Sequence, residues 1–149
     1  MPEKIKLNKL SIEIVTVPGT DEIYKEFRGV RILVDNIDLL DLILDFERPL
    51  LIHENRPRIE QTRTWPICNH RTKRILRGYR YYYDGAAPLV DCRCQCDGCW
   101  PIDVQIIRTS TIVKWKNFRN GHRPNWSYKE FGSLYFNRKA YDTEIAKIS

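Results

Sequence analysis

The sequence predicts one α+β domain spanning residues 1–149, mostly antiparallel sheet, with an N-terminal hairpin–helix unit and a C-terminal helix. Three observations carry that reading. The chain opens on residues that alternate with the two-residue period of a strand. The period then changes to that of a helix within one short stretch, and alternation returns in the last third. At 149 residues and 42% hydrophobic composition, the chain can bury one core and is too short to call for two.

In LSIEIVTV (10–17), Leu10, Ile12 and Ile14 fall on one face while Val15 and Val17 fall on the other, so the strand is covered on both sides towards its end. PGTDE (18–22) supplies a turn. In IYKEFRGVRILVD (23–35) a second strand is expected from Arg31 to Asp35, with Gly29 at a bulge or turn. NIDLLDLILDFERPLL then changes period: Leu39, Leu42, Ile43 and Phe46 recur at helical spacing. Asp38 is the expected N-cap, because its carboxylate can accept a free amide of the first turn, and Pro49 is expected to end the helix.

Residues 53–88 mix Arg, Tyr and Pro with weak periodicity and are expected to form a largely irregular excursion. One strand could run through the tyrosines of RILRGYRYYYDG, closed by a turn at Asp84-Gly85. In PIDVQIIRTSTIVKWKNF alternation returns as Ile102, Val104 and Ile106 against Asp103, Gln105 and Ile107. Arg108 to Thr111 is the expected hairpin connection and TIVKWKNF the return strand. GHRPNW (121–126) reads as a loop and SLYF (133–136) as a short strand. Asn137 is the expected cap of a last helix, RKAYDTEIAKI, with Tyr141, Ile145 and Ile148 on one stripe. The tryptophans at 65, 100, 115 and 126 are expected as core anchors.

The net charge of +6 is unevenly distributed. Residues 1–54 hold seven Lys/Arg and eleven Asp/Glu, while residues 55–149 hold eighteen and eight. The basic excess therefore belongs to the later part of the chain, where it reads as a solvated basic face or as the footprint of an anionic partner. The opening MPEKIKLNKL has no apolar run resembling an export signal, and no stretch approaches a membrane span. The expectation is a cytosolic protein with reduced thiols, and no membrane partner.

Four of the five cysteines lie in DCRCQCDGCWP (91–101). Cys96-Asp97-Gly98-Cys99 has the spacing of a metal knuckle, and Cys92 and Cys94 would project from one face of a strand. Four thiolates could close a tetrahedral zinc site, with Cys68, His70 and His122 as alternative ligands. The second, distant C-x-x-C of a zinc ribbon is missing. A structural zinc is the leading reading, ahead of reduced thiols without metal and of a redox or nucleophilic cysteine.

The order C-x-C-x4-C-W-P at Cys92, Cys94, Cys99, Trp100 and Pro101 resembles a marker of a family of small uncharacterised bacterial proteins. W-x-x-F-x-x-x-H-R at Trp115, Phe118, His122 and Arg123 continues the resemblance, as do F-N-R-x-x-Y from Phe136 to Tyr141 and LLDLILDFERPL near the N-terminus. No activity is established for that family, so the resemblance implies no catalytic residue and no substrate. It does imply three cysteines, Cys92, Cys94 and Cys99, which leaves Cys96 as a departure and makes a Cys3His set with His122 a rival to the four-cysteine set; the alternative for His122-Arg123 is a loop pair that hydrogen-bonds backbone.

Between Arg56 and Arg80 there are eight Lys/Arg against one acid, Glu60, and Tyr79, Tyr81, Tyr82 and Tyr83 cluster at the end. Cations interleaved with aromatics can neutralise phosphates and stack bases. Arg71, Lys73, Arg74, Arg77, Arg80 and Tyr81 are the candidate nucleic-acid contacts, and KWKNFRNGHRPNW has the same character. Three functional readings stand. The first is a small non-enzymatic binding protein with a protein partner and a structural zinc. The alternative is a nucleic-acid-binding module using the basic, tyrosine-rich segment 56–83, and the second alternative a Cys/His or zinc-dependent enzyme. No Gly-rich phosphate loop, paired-carboxylate motif or H-E-x-x-H supports the last.

Overall fold

Residues 5–19, 25–54, 63–92 and 101–149 are described by a computed structural model, with Asp91 and Cys92 described by their backbone alone. Among the described residues are three helices and two antiparallel sheets, the α+β class that the periodicities predict.

The first sheet holds β1 (Leu10–Val17), β2 (Phe27–Val34) and β3 (Ile37–Asp38). β1 and β2 pair from end to end, Leu10 opposite Val34 and Val17 opposite Phe27. The second strand therefore starts four residues before the expected Arg31 and runs through Gly29 with neither bulge nor turn. Crowding explains the glycine: a Cβ at position 29 would lie 3.0 Å from Val17 Cγ2 and 3.1 Å from Trp65 Cβ. The tight turn comes instead at Asp35 and Asn36, whose φ angles of 52° and 67° are left-handed values that Asn and Asp tolerate. Asp35 also accepts hydrogen bonds from Asn8 Nδ2 and Lys9 N, which hold its carboxyl below the usual range.

α1 (Leu39–His53) begins as expected, with Asp38 Oδ1 accepting from Leu40 N at 2.8 Å. Pro49 does not end it. Proline removes its own amide from the ladder and crowds the carbonyl four residues back, but Leu51, just beyond it, is buried on the stripe Leu39, Ile43, Glu47, Leu51. Burying that leucine is worth about 1.5–3 kcal/mol, comparable to the cost of about 3 kcal/mol for a helical proline.

β4 (Arg63–Thr64), β5 (Ala86–Cys92), β6 (Ile102–Arg108), β7 (Ile112–Arg119) and β8 (Leu134–Asn137) form the second sheet in sequential order. The stretch 53–88 is the main correction. It contains a helix, α2 (His70–Leu76), capped by Asn69, and the tyrosines lie in a loop rather than in a strand. Its seven residues offer only the adjacent Ile75 and Leu76 as apolar groups to the core, so there is no helical stripe to read, and packing makes the helix. The last helix, α3 (Arg138–Ile145), follows β8, with Asn137 Oδ1 accepting from Ala140 N at 3.0 Å, as its sequence predicts.

One core is shared by both sheets and all three helices. Ile12 and Ile32 of the first sheet meet Val104, Val113, Trp115 and Phe136 of the second, with Leu39, Ile43, Leu76, Tyr141 and Ile145 from the helices. Among the described residues, backbone bonds join the two sheet regions from Asn8 N to Tyr135 O, from Val30 N to Pro66 O and from Cys68 N to Arg28 O. Trp115 Nε1 donates to Tyr141 Oη, which donates to the Leu76 carbonyl. Trp115 and Trp126 are the core anchors expected, Trp65 is half-buried, and Trp100 lies outside the described residues. No helix among the described residues is long and apolar enough to cross a membrane.

Candidate functional site

α2 ends in a motif that sets the path of the chain beyond it. Gly78, with φ of +94°, occupies the left-handed position; its amide donates to Ile75 O, and Tyr79 N donates to Arg74 O. A Cβ on Gly78 would lie 3.3 Å from the Ile106 carbonyl, so the chain is pressed against β6 as it leaves the helix. Residues 79–85 then form a short loop. Tyr81 N and Tyr82 N both donate to Ala86 O, and Gly85 N donates to Tyr82 O. Asp84 clamps the tip to the sheet: its carboxylate accepts from Ala86 N and Arg119 Nη1, and its carbonyl accepts from Gln105 Nε2 at 2.6 Å. Arg119 is the main reason that the Asp84 carboxyl is held below its usual range.

With the backbone so used, the tyrosine rings face outwards. Tyr79, Tyr81 and Tyr82 are 47%, 42% and 37% exposed, and Tyr83 is fully exposed. Three of them carry a guanidinium. Arg74 sits 4.2 Å from the Tyr79 ring centre, Arg71 4.9 Å from Tyr81, and Arg119 5.6 Å from Tyr82. Tyr81 and Tyr82 meet edge to face, their centres 5.3 Å apart. Arg71 and Arg74 belong to α2 and Arg119 to β7, so the loop is flanked by cations from two elements.

Beneath the loop, against β6 and β7, lies an open cleft of 400 Å³. Arg77, Arg80, Arg108 and Lys116 line it, with Asp84 as its one acid. Beyond the Asp84–Gln105 bridge, a second cleft of 540 Å³, lined by Asn117, Arg119, Lys129 and Ser133, extends the same face. Of the nucleic-acid candidates, Arg71, Arg74 and Tyr81 thus come together as stacked pairs, and Arg77 and Arg80 enter the cleft. Lys73 is half-buried on α2. Arg108 joins them without having been a candidate, and Lys116 and Arg119 come from the KWKNFRNGHRPNW segment of the same basic and aromatic character; sheet pairing brings all three here.

The metal candidates are less fully placed. Cys92 ends β5, and Cys94, Cys96 and Cys99 lie outside the described residues. Cys68 is far from them in the chain, with Sγ 3.8 Å from the Ser149 carbonyl, and His70 is exposed at the start of α2. His122 is exposed just past β7; its amide donates to Asn120 Oδ1, and Asp103 is its charged neighbour. Burial holds the Asp103 carboxyl above its usual range, although Arg119 Nε donates to it at 3.3 Å. Arg123 pairs with Glu54 at 2.9 Å, tying the 121–126 loop to the end of α1. Among the described residues, no three His, Cys, Asp or Glu side chains converge as a metal would require.

A second polar cluster lies inside the core. Glu47 is 1% exposed and accepts from Arg63 Nη1 at 2.5 Å, Arg63 Nη2 at 3.3 Å and Tyr128 Oη. Burial and the Glu47 carboxylate push the Tyr128 hydroxyl far above its ordinary value. The cluster joins α1, β4 and the segment before β8, which gives it a structural role. An acid on the apolar stripe of α1 was the sequence signal for it.

Comparison with protein-family models, with curated proteins and with solved structures finds no match to this chain.

Proposed function

We propose that this protein is a binding protein for single-stranded nucleic acid, and that the exposed tyrosine loop with its flanking arginines is the contact surface. One observation carries the reading: four tyrosines in five residues project outwards, and three are backed by guanidinium groups from α2 and β7. A sequence-tolerant single-strand site needs π faces for bases and cations for phosphates, and this loop offers both. The clefts on either side of Asp84 give a backbone somewhere to run. A duplex reader would present a helix to a groove, whereas here the aromatic residues sit on a short loop.

Fluorescence anisotropy with a labelled ten-residue oligothymidylate, at salt from 50 to 300 mM, tests the proposal. Binding should weaken steeply with salt, with a log–log slope of about −2 or steeper, from roughly −0.7 per phosphate contacted. Binding that is absent at the lowest salt, or flat as salt rises, would sink it.

A structural zinc at the cysteine cluster is the second reading, and strand register supports it. Val90 of β5 lies opposite Ile102 and Arg119 of β7 opposite Asp103, so Cys92 and the approach to His122 flank the start of β6 from either side. Two strand spacings amount to about 10 Å between backbones, within reach of one metal held by a cysteine and a histidine. Elemental analysis of untagged protein should find about one zinc per chain, and His122→Ala should lower that content in competition with a chelator. Clearly substoichiometric zinc in the wild type would overturn this second reading.

A further inference from the structure

The 400 Å³ cleft beneath the tyrosine loop contains more charge than a passing backbone phosphate calls for. We propose that it is a seat for a phosphomonoester, the terminal phosphate of the bound strand, which rests on the single-strand reading above. Arg77, Arg80 and Lys116 line the cleft, and none has an ion pair or side-chain hydrogen bond among the described residues. Arg108 joins them; its Nη2 is held by Asp142 at 2.9 Å, while its Nη1 is buried and has no hydrogen-bond partner among the described residues. The one acid in the lining, Asp84, is already paired with Arg119.

The charge balance selects the ligand. An internal phosphodiester brings one negative charge, and a surface that tracks a strand spreads its cations at about one per phosphate. Here three cations without an ion-pair partner among the described residues share one cleft. A phosphomonoester carries about −1.5 to −2 near neutral pH and three acceptor oxygens, which suits two forked guanidinium groups and an ammonium. The backbone leaves room for it. Gly78 and Gly85 both line the cleft with left-handed φ values and no side chain. At Gly85 it is the φ of +87° that favours glycine, since a Cβ there would make only ordinary contact with Arg80 at 3.8 Å. Tyr79 lies between the cleft residues Gly78 and Arg80 in the chain, so a base next to the seated phosphate would have a ring to stack on.

The test compares three ten-residue oligothymidylates, bearing a 5′-phosphate, a 3′-phosphate or neither, together with free thymidine monophosphate. At one fixed salt concentration, one of the phosphorylated ends should bind at least about tenfold more tightly than the unphosphorylated strand, the size of a well-formed charge-assisted contact. The ratio should fall to near one in Arg77→Ala and in Lys116→Ala, whatever happens to absolute affinity. Equal affinity for all three oligonucleotides would overturn the seat and leave the single-strand reading standing. Thymidine monophosphate binding that depends on Arg77, with no oligonucleotide bound, would keep the seat as a free-nucleotide site and remove the single-strand reading. No binding by any of the four would overturn both.

Discussion

Glu47→Ala should lower the free energy of unfolding by about 3–5 kcal/mol, because it leaves the Arg63 guanidinium in the core without its carboxylate. Domains of this kind have about 5–15 kcal/mol in total, so the loss is a large share of the whole. Urea denaturation at pH 7 checks it, read as a lower midpoint at an unchanged slope. A loss below about 1 kcal/mol would show that the pair is solvated and that the cluster does not tie α1 to β4. The triple variant Glu47→Leu, Arg63→Met and Tyr128→Phe should recover most of the loss, since apolar replacement of a buried polar cluster is often neutral when no donor is left unpaired. Tyr128 adds a pH dependence. Its folded-state pKa lies above the unfolded value of about 10, so its contribution is complete below pH 10 and is lost as pH rises beyond that. Tyr128→Phe should therefore flatten the alkaline fall in stability.

Tyr79→Ala combined with Tyr81→Ala should weaken oligothymidylate binding by about thirtyfold or more, at about 1–3 kcal/mol per stacked base. Both rings lie outside the core, and the loop is held by backbone bonds to Ala86 and by the Asp84 clamp, so the melting temperature should hardly move. Phenylalanine at both positions should retain affinity to within about threefold, because the ring supplies the stack and the hydroxyl does not. Equal losses for the alanine and phenylalanine pairs would mean that hydroxyl contacts dominate, and the stacking account would then be wrong. An unchanged affinity in the alanine pair would remove the loop from the contact surface.

Much of the architecture comes from local pattern. β1, β6 and β7 alternate and were legible to within a residue or two, and Asp38 and Asn137 cap the helices they precede. β2 was harder, because Gly29 signals a backbone irregularity in sequence but answers to crowding by Val17 and Trp65 in space. α2 was not legible, since seven residues with two adjacent apolar positions show no period. The tyrosines misled in the opposite sense, as aromatic residues favoured in strands that here lie in a loop held by its backbone.

The class of the fold, the helix starts and the presence of an Arg/Tyr-rich segment are properties of neighbouring residues, so they can be read along the chain. The cleft and the buried cluster depend on residues far apart in it. Arg77 and Lys116 share a wall because α2 packs beside β5 and the β6–β7 hairpin returns. Glu47 meets Tyr128 across 81 positions. Such meetings are set by which elements bury against one another, a choice made by the whole core and by no single stretch of sequence.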